Sequence, residues 1–524
     1  MSSHFPDRLE AFPDRPSRGA LFLTSLLILA FLSLLVYVVR NSLIIQKLDP
    51  GPRSSNCTIY AGPSGSDQNS GSNLASPKTL LGAAATAQPG SIVCLLPGRY
   101  ELDSSFAPPH SGTASAWIVY KGCGNGAANF VWTGPPDASP MFKLGSGQFP
   151  SGPSYLEFRG LHLDGHGNAG DGFFCRGGHH LRFIENTIVN TGGSGIGSID
   201  CDYLTADHNV IVHNGYVPPT TKVPQWYSWT SGISFNSNQW FDRHPGFHNI
   251  IANNLVTGEV DQSEKHSDGN GIILDLSNRT YDYSSANTPP ALVLNNVVYG
   301  NGGRCLEAYT VTNFWLVNNT CYKNVLDLRD KTDASVTVNN SRDGFVVNNL
   351  VVAASASHPC YSEENHAEEV RFFANLCSGS SNLLHHSNSS SSQFISADPL
   401  FAHPTDLHSN TAADEFLSSS FRASPPRQAQ GGIPLPTKDQ RKGEAPSPRI
   451  FKDGSNDGGA DGFVLLPRSP ALDKGIDPTT LPGLPRELVS DLQKHIYSDF
   501  AGNPRRRGGP FDLGAYQTSS GTIK

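Results

Sequence analysis

The sequence predicts an all-β fold, a right-handed parallel β-helix, and three observations carry that prediction. Seven short segments between residues 181 and 376 look alike, each a β-branched run beside an asparagine. The shared residues are Asn186, Asn209, Asn254, Asn296, Asn319, Asn349 and Asn375, spaced by 23, 45, 42, 23, 30 and 26. Composition agrees: 52 Gly, 38 Pro and only 16% charged residues suit many turns and short strands. A repeat near 23 residues with longer excursions marks a solenoid, whose units stack to bury a shared core. Recurring Asn suits corners that take left-handed backbone, and stacked Asn side chains can hydrogen-bond along the axis. A β-sandwich with Asn-rich turns is the alternative, and seven matches at related spacings argue against it.

In chain order, residues 1–19 form a polar tail. Residues 20–39, ALFLTSLLILAFLSLLVYVV, carry no charge and reach the length that spans a bilayer. The run is longer than a signal-peptide core and ends in Tyr37-Val38-Val39-Arg40, so it reads as an uncleaved membrane anchor. Flanking charge does not orient it: Arg8, Arg15 and Arg18 precede it, and Arg40, Lys47 and Arg53 follow. Sequons at Asn56, Asn278, Asn318, Asn339 and Asn388 place the large C-terminal part on the extracellular or lumenal side. There are nine cysteines and no CxxC metal pattern. Cys175 and Cys201 are one solenoid turn apart and can pair, and Cys57 with Cys94 can fasten the start of the domain. Buried free thiols are the alternative. A net charge of −8 gives no reason to expect a nucleic-acid partner.

A linker (40–55) leads to the domain proper, 56–402. Thr58-Ile59-Tyr60 is a strand. Ser76-Pro77-Lys78 predicts a helix start, with Ser76 as N-cap and Pro77 in the first position, running through LLGAAATA to Gln88-Pro89-Gly90. Such a helix can cap the open end of the solenoid core. Ile92–Leu96, Trp117–Tyr120 and Tyr155–Phe158 are further strands. Residues 403–460, rich in Ser, Pro, Lys and Gln, read as an exposed, disordered insertion. A closing segment of the β-helix occupies 461–516 and a tail 517–524. Arg505–Arg507 reads as a solvated basic turn.

The opening pattern Tyr60-Ala61-Gly62-Pro63-Ser64-Gly65-Ser66-Asp67, Ser76-Pro77-Lys78-Thr79-Leu80, Gln88-Pro89-Gly90 and Leu96-Pro97-Gly98-Arg99-Tyr100 resembles the start of secreted parallel β-helix proteins of the pectate lyase-like type. Ser469–Gly475, Asp499–Arg505 and Asp512–Tyr516 resemble that family's closing motif. The resemblance covers about residues 56–402 and 462–516. It implies the fold and a polysaccharide or other glycan partner, with polysaccharide lyase as the expected activity. The familiar lyase motifs cannot be matched residue by residue.

A solenoid core is filled by stacked apolar side chains, so chemistry belongs on an outer face walled by long turns. The spacings 45 and 42 locate extra length near 213–245 and 257–290. The first stretch carries Trp226, Tyr227, Trp229, Trp240 and Phe241, whose rings suit stacking on sugars or loop packing. The second carries Lys265-His266-Ser267-Asp268-Gly269-Asn270 and Asp275, the densest polar cluster. Aligning Gly195–Asp200, Gly232–Phe235, Ile272–Asp275, Leu306–Tyr309 and Leu326–Arg329 brings Asp200, Asp202, Asp268, Asp275, Arg304, Glu307, Asp327, Arg329 and Lys331 towards one face. A slip of one residue would turn them to the other.

β-Elimination needs a cation to neutralise a uronate carboxylate, a base for the C5 proton and an acid for the leaving oxygen. Asp268, Asn270, Asp275 and Glu307 are the expected Ca²⁺ ligands. Lys265, His266, Arg304, Arg329 and Lys331 are the expected bases. A glycoside hydrolase would instead use paired carboxylates, Asp200 with Asp202 or Asp268 with Asp275. Ordinary Asp-Gly turn chemistry, or a membrane-tethered glycan adhesin, would need neither base nor metal.

Overall fold

The computed structural model describes residues 57–124, 126–215, 229–263, 265–276, 284, 286–327, 329, 334–385, 394–404 and 460–518. The expected anchor at 20–39, the sequons at Asn56, Asn278 and Asn388, and most of the expected insertion, 405–459, lie outside the described residues. Among the described residues no helix is long and apolar enough to cross a membrane.

The described strands form three parallel sheets of 11, 11 and 9 strands, here sheets A, B and C. In each, a strand pairs with the one from the next turn of the chain, so the backbone coils as a parallel β-helix. One turn runs His179–Ile184 (A), Thr187–Val189 (B) and Ile196–Ile199 (C), then returns to sheet A at Asp202–Asp207. Alternate residues point inward, so Leu181, Phe183, Ile188 and Ile196 fill one continuous core with Phe158, Phe173, Ile211 and Ile233 from neighbouring turns.

The seven predicted asparagines form one buried ladder at the A-to-B corner. Asn186 Nδ2 donates to Asn209 Oδ1 (3.1 Å) and to Phe158 O (3.0 Å). The pattern repeats through Asn254, Asn296, Asn319 and Asn349 to Asn375. The residue before each rung holds the left-handed backbone: Glu185, His208, Asn253, Asn295, Asn318, Asn348 and Ala374 have φ between 50° and 59°. Two roles expected of one residue are thus divided between neighbours, which explains the Asn-Asn pairs. A second ladder, not expected, lies five residues on at the B-to-C corner. It links Thr191, Asn214, Glu259, Asn301 and Asn324.

The helix α1 (Leu80–Thr86) starts later than expected. Its N-cap is Thr79, whose side chain accepts from Gly82 N, not Ser76. Lys78 is held extended by pairing with the first strand, its N–H donating to Tyr60 O, and that delays the helix. Leu80, Ala83 and Ala84 join the main core.

Residues 460–518 lie along the coil and cover its outside. Leu513, Ala515 and Tyr516 pack with Tyr299, Tyr322 and Leu350 on the outer face of sheet B. Leu481, Leu492 of α2 (Arg486–Leu492), Ile496 and Phe511 pack with Leu292, Leu294, Trp315 and Val317 on sheet A. Arg505, expected in a solvated turn, is 3% exposed, and its guanidinium donates to Asn295 Oδ1, Asp512 O and Gly514 O. Burial lowers its pKa to about 10. With these residues covering the flanks of A and B, sheet C keeps an outer face open for a site.

Candidate functional site

The outer face of sheet C carries two register columns. One runs Lys143, Phe174, Gly197, Ser234, Ile273, Glu307, Thr337 and Ser362. The other runs Arg176, Ile199, Asn236, Asp275, Tyr309, Asn339 and Glu364. Above them lies a cleft in two adjoining parts, about 650 Å³ and 440 Å³, which share Trp229, Asn236 and Asp275.

The smaller part is lined by Asp268, Asp275, Arg304, Glu307 and Tyr309. Asn270, at the start of its strand, organises it. Its amide donates to Glu307 Oε2 (3.1 Å) and Asp268 Oδ1 (3.3 Å), and its Oδ1 accepts from Arg304 N (2.8 Å). Arg304 Nη1 lies 3.3 Å from Glu307 Oε2 and donates to Ser267 O. Burial, then the charges of Glu307, Asp275 and Asp261, push Asp268 well above the usual carboxylate range, against the opposing pull of Arg304. Burial raises Asp275 to about 6, against the Asn236 Nδ2 hydrogen bond to its Oδ2 (2.7 Å).

The larger part is lined by Lys143, Asp171, Phe174, Arg176 and Ser194. Asp171 was not expected. Burial raises it to about 7, against the N–H of Ser194, which donates to its Oδ1 at 2.6 Å. Gly193 and Gly197 leave room for it, since a Cβ there would lie 2.8 and 3.2 Å from that oxygen. Its signal is positional: Asp171, Ser194, Ser231, Asn270 and Arg304 each stand two residues before an inward-facing apolar strand residue. Lys143 and Arg176 make no ion pair among the described residues.

Of the expected site residues, Asp268, Asn270, Asp275, Arg304 and Glu307 converge here. Others do not. His266 turns away, its Nδ1 3.0 Å from Asp261 O. Arg329 pairs with Asp327 (2.9 Å) outside the cleft lining, because the sheet C strand of that turn is Val336–Asn339 rather than 326–329. Lys265 sits at the rim, Nζ 5.5 Å from the Trp229 ring centroid. Lys331, Trp226 and Tyr227 lie outside the described residues. Trp229 is 57% exposed and lines both parts of the cleft. Trp240 belongs to a different loop, after the sheet C strand, where its Nε1 donates to Asn287 O (2.8 Å) and its ring meets Arg243. Asp200 and Asp202 do not share a face, since Asp200 occupies a left-handed turn (φ 55°). Asp202 is buried and paired with His248 Nδ1 at 2.8 Å.

The expected Ca²⁺ ligands do not make a cation cage as they stand. Asn270 Oδ1 is taken by Arg304 N, and the Arg304 guanidinium already faces Glu307. Among the described residues the only set of three His, Cys, Asp or Glu ligand atoms mutually within 4.8 Å is Cys57, Cys94 and Cys123.

No protein-family model and no curated protein matches the sequence. Among solved structures the chain is similar to a pectate lyase, at 15% identity over 89% of this chain and 98% of that one, TM-score 0.46. It is also similar to a glycoside hydrolase (9% identity, 64% and 96% covered, TM-score 0.45). A third is an alginate lyase from Paenibacillus sp. str. FPU-7 (13% identity, 61% and 95% covered, TM-score 0.36). The likeness to polysaccharide lyases that the terminal motifs suggest is thus met in solved structures. It concerns the coil, and the chemistry of the cleft rests on this chain's own residues.

Proposed function

We propose that the cleft on sheet C binds an acidic polysaccharide and cleaves it by acid–base catalysis, with Asp268 as proton donor and Asp275 as base. The carrying observation is two carboxyl groups lining one cleft, both with raised proton affinity. Burial and the neighbouring carboxylates push Asp268 well above the usual carboxylate range, as a proton donor needs, whereas Asp275, near 6, is ionised at neutral pH. In hydrolysis, Asp268 protonates the departing glycosidic oxygen, and Asp275 takes a proton from the water that attacks the anomeric carbon. Asn236 orients Asp275, and Arg304 with Asn270 fixes the floor.

The cations favour a second reading, β-elimination. Arg304 against a uronate carboxylate would acidify the C5 proton, Asp275 or rim Lys265 would remove it, and Asp268 would protonate the leaving oxygen. No step is routed through a metal. Incubation with pectate, alginate and glycosaminoglycans tests both readings. New reducing ends without ultraviolet absorbance support hydrolysis, and absorbing unsaturated ends support elimination. Binding without either product would leave a glycan-binding protein, and no binding at all overturns the proposal.

The uncharged run at 20–39 would tether this domain on the extracytoplasmic side. The disulfides Cys57–Cys94, Cys175–Cys201, Cys305–Cys321 and Cys360–Cys377 support an oxidising compartment. Extraction only by detergent, and not by alkaline carbonate, is the expected result.

A further inference from the structure

Nine cysteines cannot all pair, and the one left over, Cys123, is buried against a bridge. Cys57 precedes the first strand of sheet A, Ile59–Ala61. Cys94 lies in the second, Ile92–Leu95, and Cys123 follows the third, Ile118–Gly122. These strands are consecutive neighbours in the sheet, about 4.8 Å apart, and although Cys94 stands opposite Tyr60 and Lys121 in the register, Cys57 and Cys123 at the flanking strand ends bring their sulfurs to it. Cys57 and Cys94 are bonded, Cys123 Sγ lies 3.9 Å from Cys57 Sγ, and all three sulfurs lie within 4.8 Å of one another. Cys94 and Cys123 are 0% and 3% exposed, while Cys57 is partly exposed.

We propose that these residues form an intramolecular thiol–disulfide exchange centre, in which Cys57 is bonded to either Cys94 or Cys123. Cys123 Sγ lies beside the Cys57–Cys94 bond, so its side chain first rotates into line with that bond, and the thiolate then attacks Cys57 Sγ. The Cys57–Cys123 bond forms, the Cys57–Cys94 bond breaks, and its electron pair leaves on Cys94 Sγ, which takes up the proton Cys123 lost. One thiol and one disulfide stand on each side, so no oxidant or reductant is consumed. The exchange moves the covalent clasp from the second strand of sheet A to the third. The loop it closes grows from a sequence separation of 37 to one of 66.

Burial raises the Cys123 thiol pKa, against the opposing effects of Lys121 and the Leu95 backbone, so the thiolate is scarce at neutral pH. The exchange rate should therefore rise about tenfold per pH unit below that pKa, following the thiolate fraction.

The full chain is incubated at pH 7, 8 and 9 without reductant, quenched in acid, unfolded, and alkylated with N-ethylmaleimide at low pH. Peptide mass mapping then locates the label. Label on both Cys123 and Cys94, with Cys94 labelling growing faster at higher pH, is expected. Cys123→Ala, and Cys123→Ser should the first fail to fold, must abolish label on Cys94. Label confined to Cys123 at every pH overturns the proposal. So does Cys94 label that persists without Cys123, because it would report an unformed bridge rather than exchange.

Discussion

Asn318 and Asn319 are adjacent in sequence and serve opposite sides of the wall. Asn319 Nδ2 donates inward to Asn349 Oδ1 (2.9 Å) and Val293 O (3.0 Å). Asn318 Nδ2 donates outward to Asp512 O (3.0 Å) and Gly514 O (3.1 Å) of the covering segment. Asn319→Ala strips both the backbone N–H and the side-chain amide of Asn296 of their shared acceptor, leaving buried donors unpaired. A loss of about 3 kcal/mol in unfolding stability is expected by urea denaturation. Asn318→Ala should cost less, about 1–2 kcal/mol, and act by loosening 460–518. Asn318 and Asn339 lie in sequons, yet both are buried, so peptide mapping should find them unglycosylated in the folded domain.

Glu259 occupies a ladder position where its neighbours are amides. Oε1 accepts from Asn214, and Oε2 is buried with no hydrogen-bond partner. Burial raises its pKa from 4.5 to about 8. The folded chain therefore keeps a proton that the unfolded chain releases. This contribution is whole below about pH 4.5 and is lost as pH rises through about 8, at up to about 1.4 kcal/mol per unit. Asp171 and Asp275 add the same sign. Urea midpoints at pH 5 and 8 should fall less for Glu259→Gln than for the unaltered chain, and the difference between the two isolates this carboxyl.

If Asp275 is the base and Asp268 the acid, activity rises through about pH 6 and falls where Asp268 ionises. Asp268→Asn and Asp275→Asn should each lower kcat at least ~100-fold with the fold intact by circular dichroism. Asn236→Ala is more discriminating. It removes a hydrogen bond to the ionised form of Asp275, so the acidic limb of the profile should move to higher pH while activity at the plateau survives. An unmoved limb would show that Asp275 is not the group titrating there.

The fold was legible because it rests on local chemistry. A corner that needs a stacked amide leaves Asn at all seven rungs, and the left-handed residue before it is a second Asn at four of them. The second ladder was equally regular, five residues on, but Thr, Asn and Glu share it, so no single letter repeats. The site was legible only where the strands were aligned correctly. Ile272–Asp275 with Leu306–Tyr309 was in register, which placed Asp275 and Glu307 together. Residues 326–329 were not a strand, so Arg329 was misplaced with them. Asp171 and Arg176 went unnoticed because their turn has ordinary length, and only the register shows that they share a face with Asp275. Trp226 and Trp240 were read as one loop by sequence spacing alone, although the strand alignment already put Gly232–Phe235 between them, and Ser231–Asn236 does separate the two tryptophans.

Arg176 stands in the same column as Asp275, three strands away, or about 14 Å at the usual strand spacing. An anionic group on a bound glycan could meet it several sugars from the carboxyl pair. Arg176→Ala should weaken binding of an acidic oligosaccharide roughly tenfold, and Lys143→Ala a few fold, since Lys143 is exposed. Isothermal titration at two salt concentrations checks this. The unaltered chain should lose affinity with salt, and the double variant should lose much less. Equal salt dependence in both would place the anion elsewhere.

Trp229 holds a left-handed backbone (φ 60°) with more than half its surface exposed, a costly conformation for a bulky side chain that packing does not repay. Its ring lines both parts of the cleft, and a sugar face stacked on it would bridge the carboxyl end and the cationic end. Trp229→Ala should raise the Kd for an oligosaccharide about tenfold, as loss of an aromatic contact does, with little change in stability. Trp229→Gly separates the two effects. Glycine takes this backbone freely, so that variant should bind as weakly as Trp229→Ala yet unfold at higher urea. If binding is unchanged in both, the exposed ring is not a sugar platform. The cleft would then have to hold its ligand through Lys143, Arg176 and the sheet C face alone.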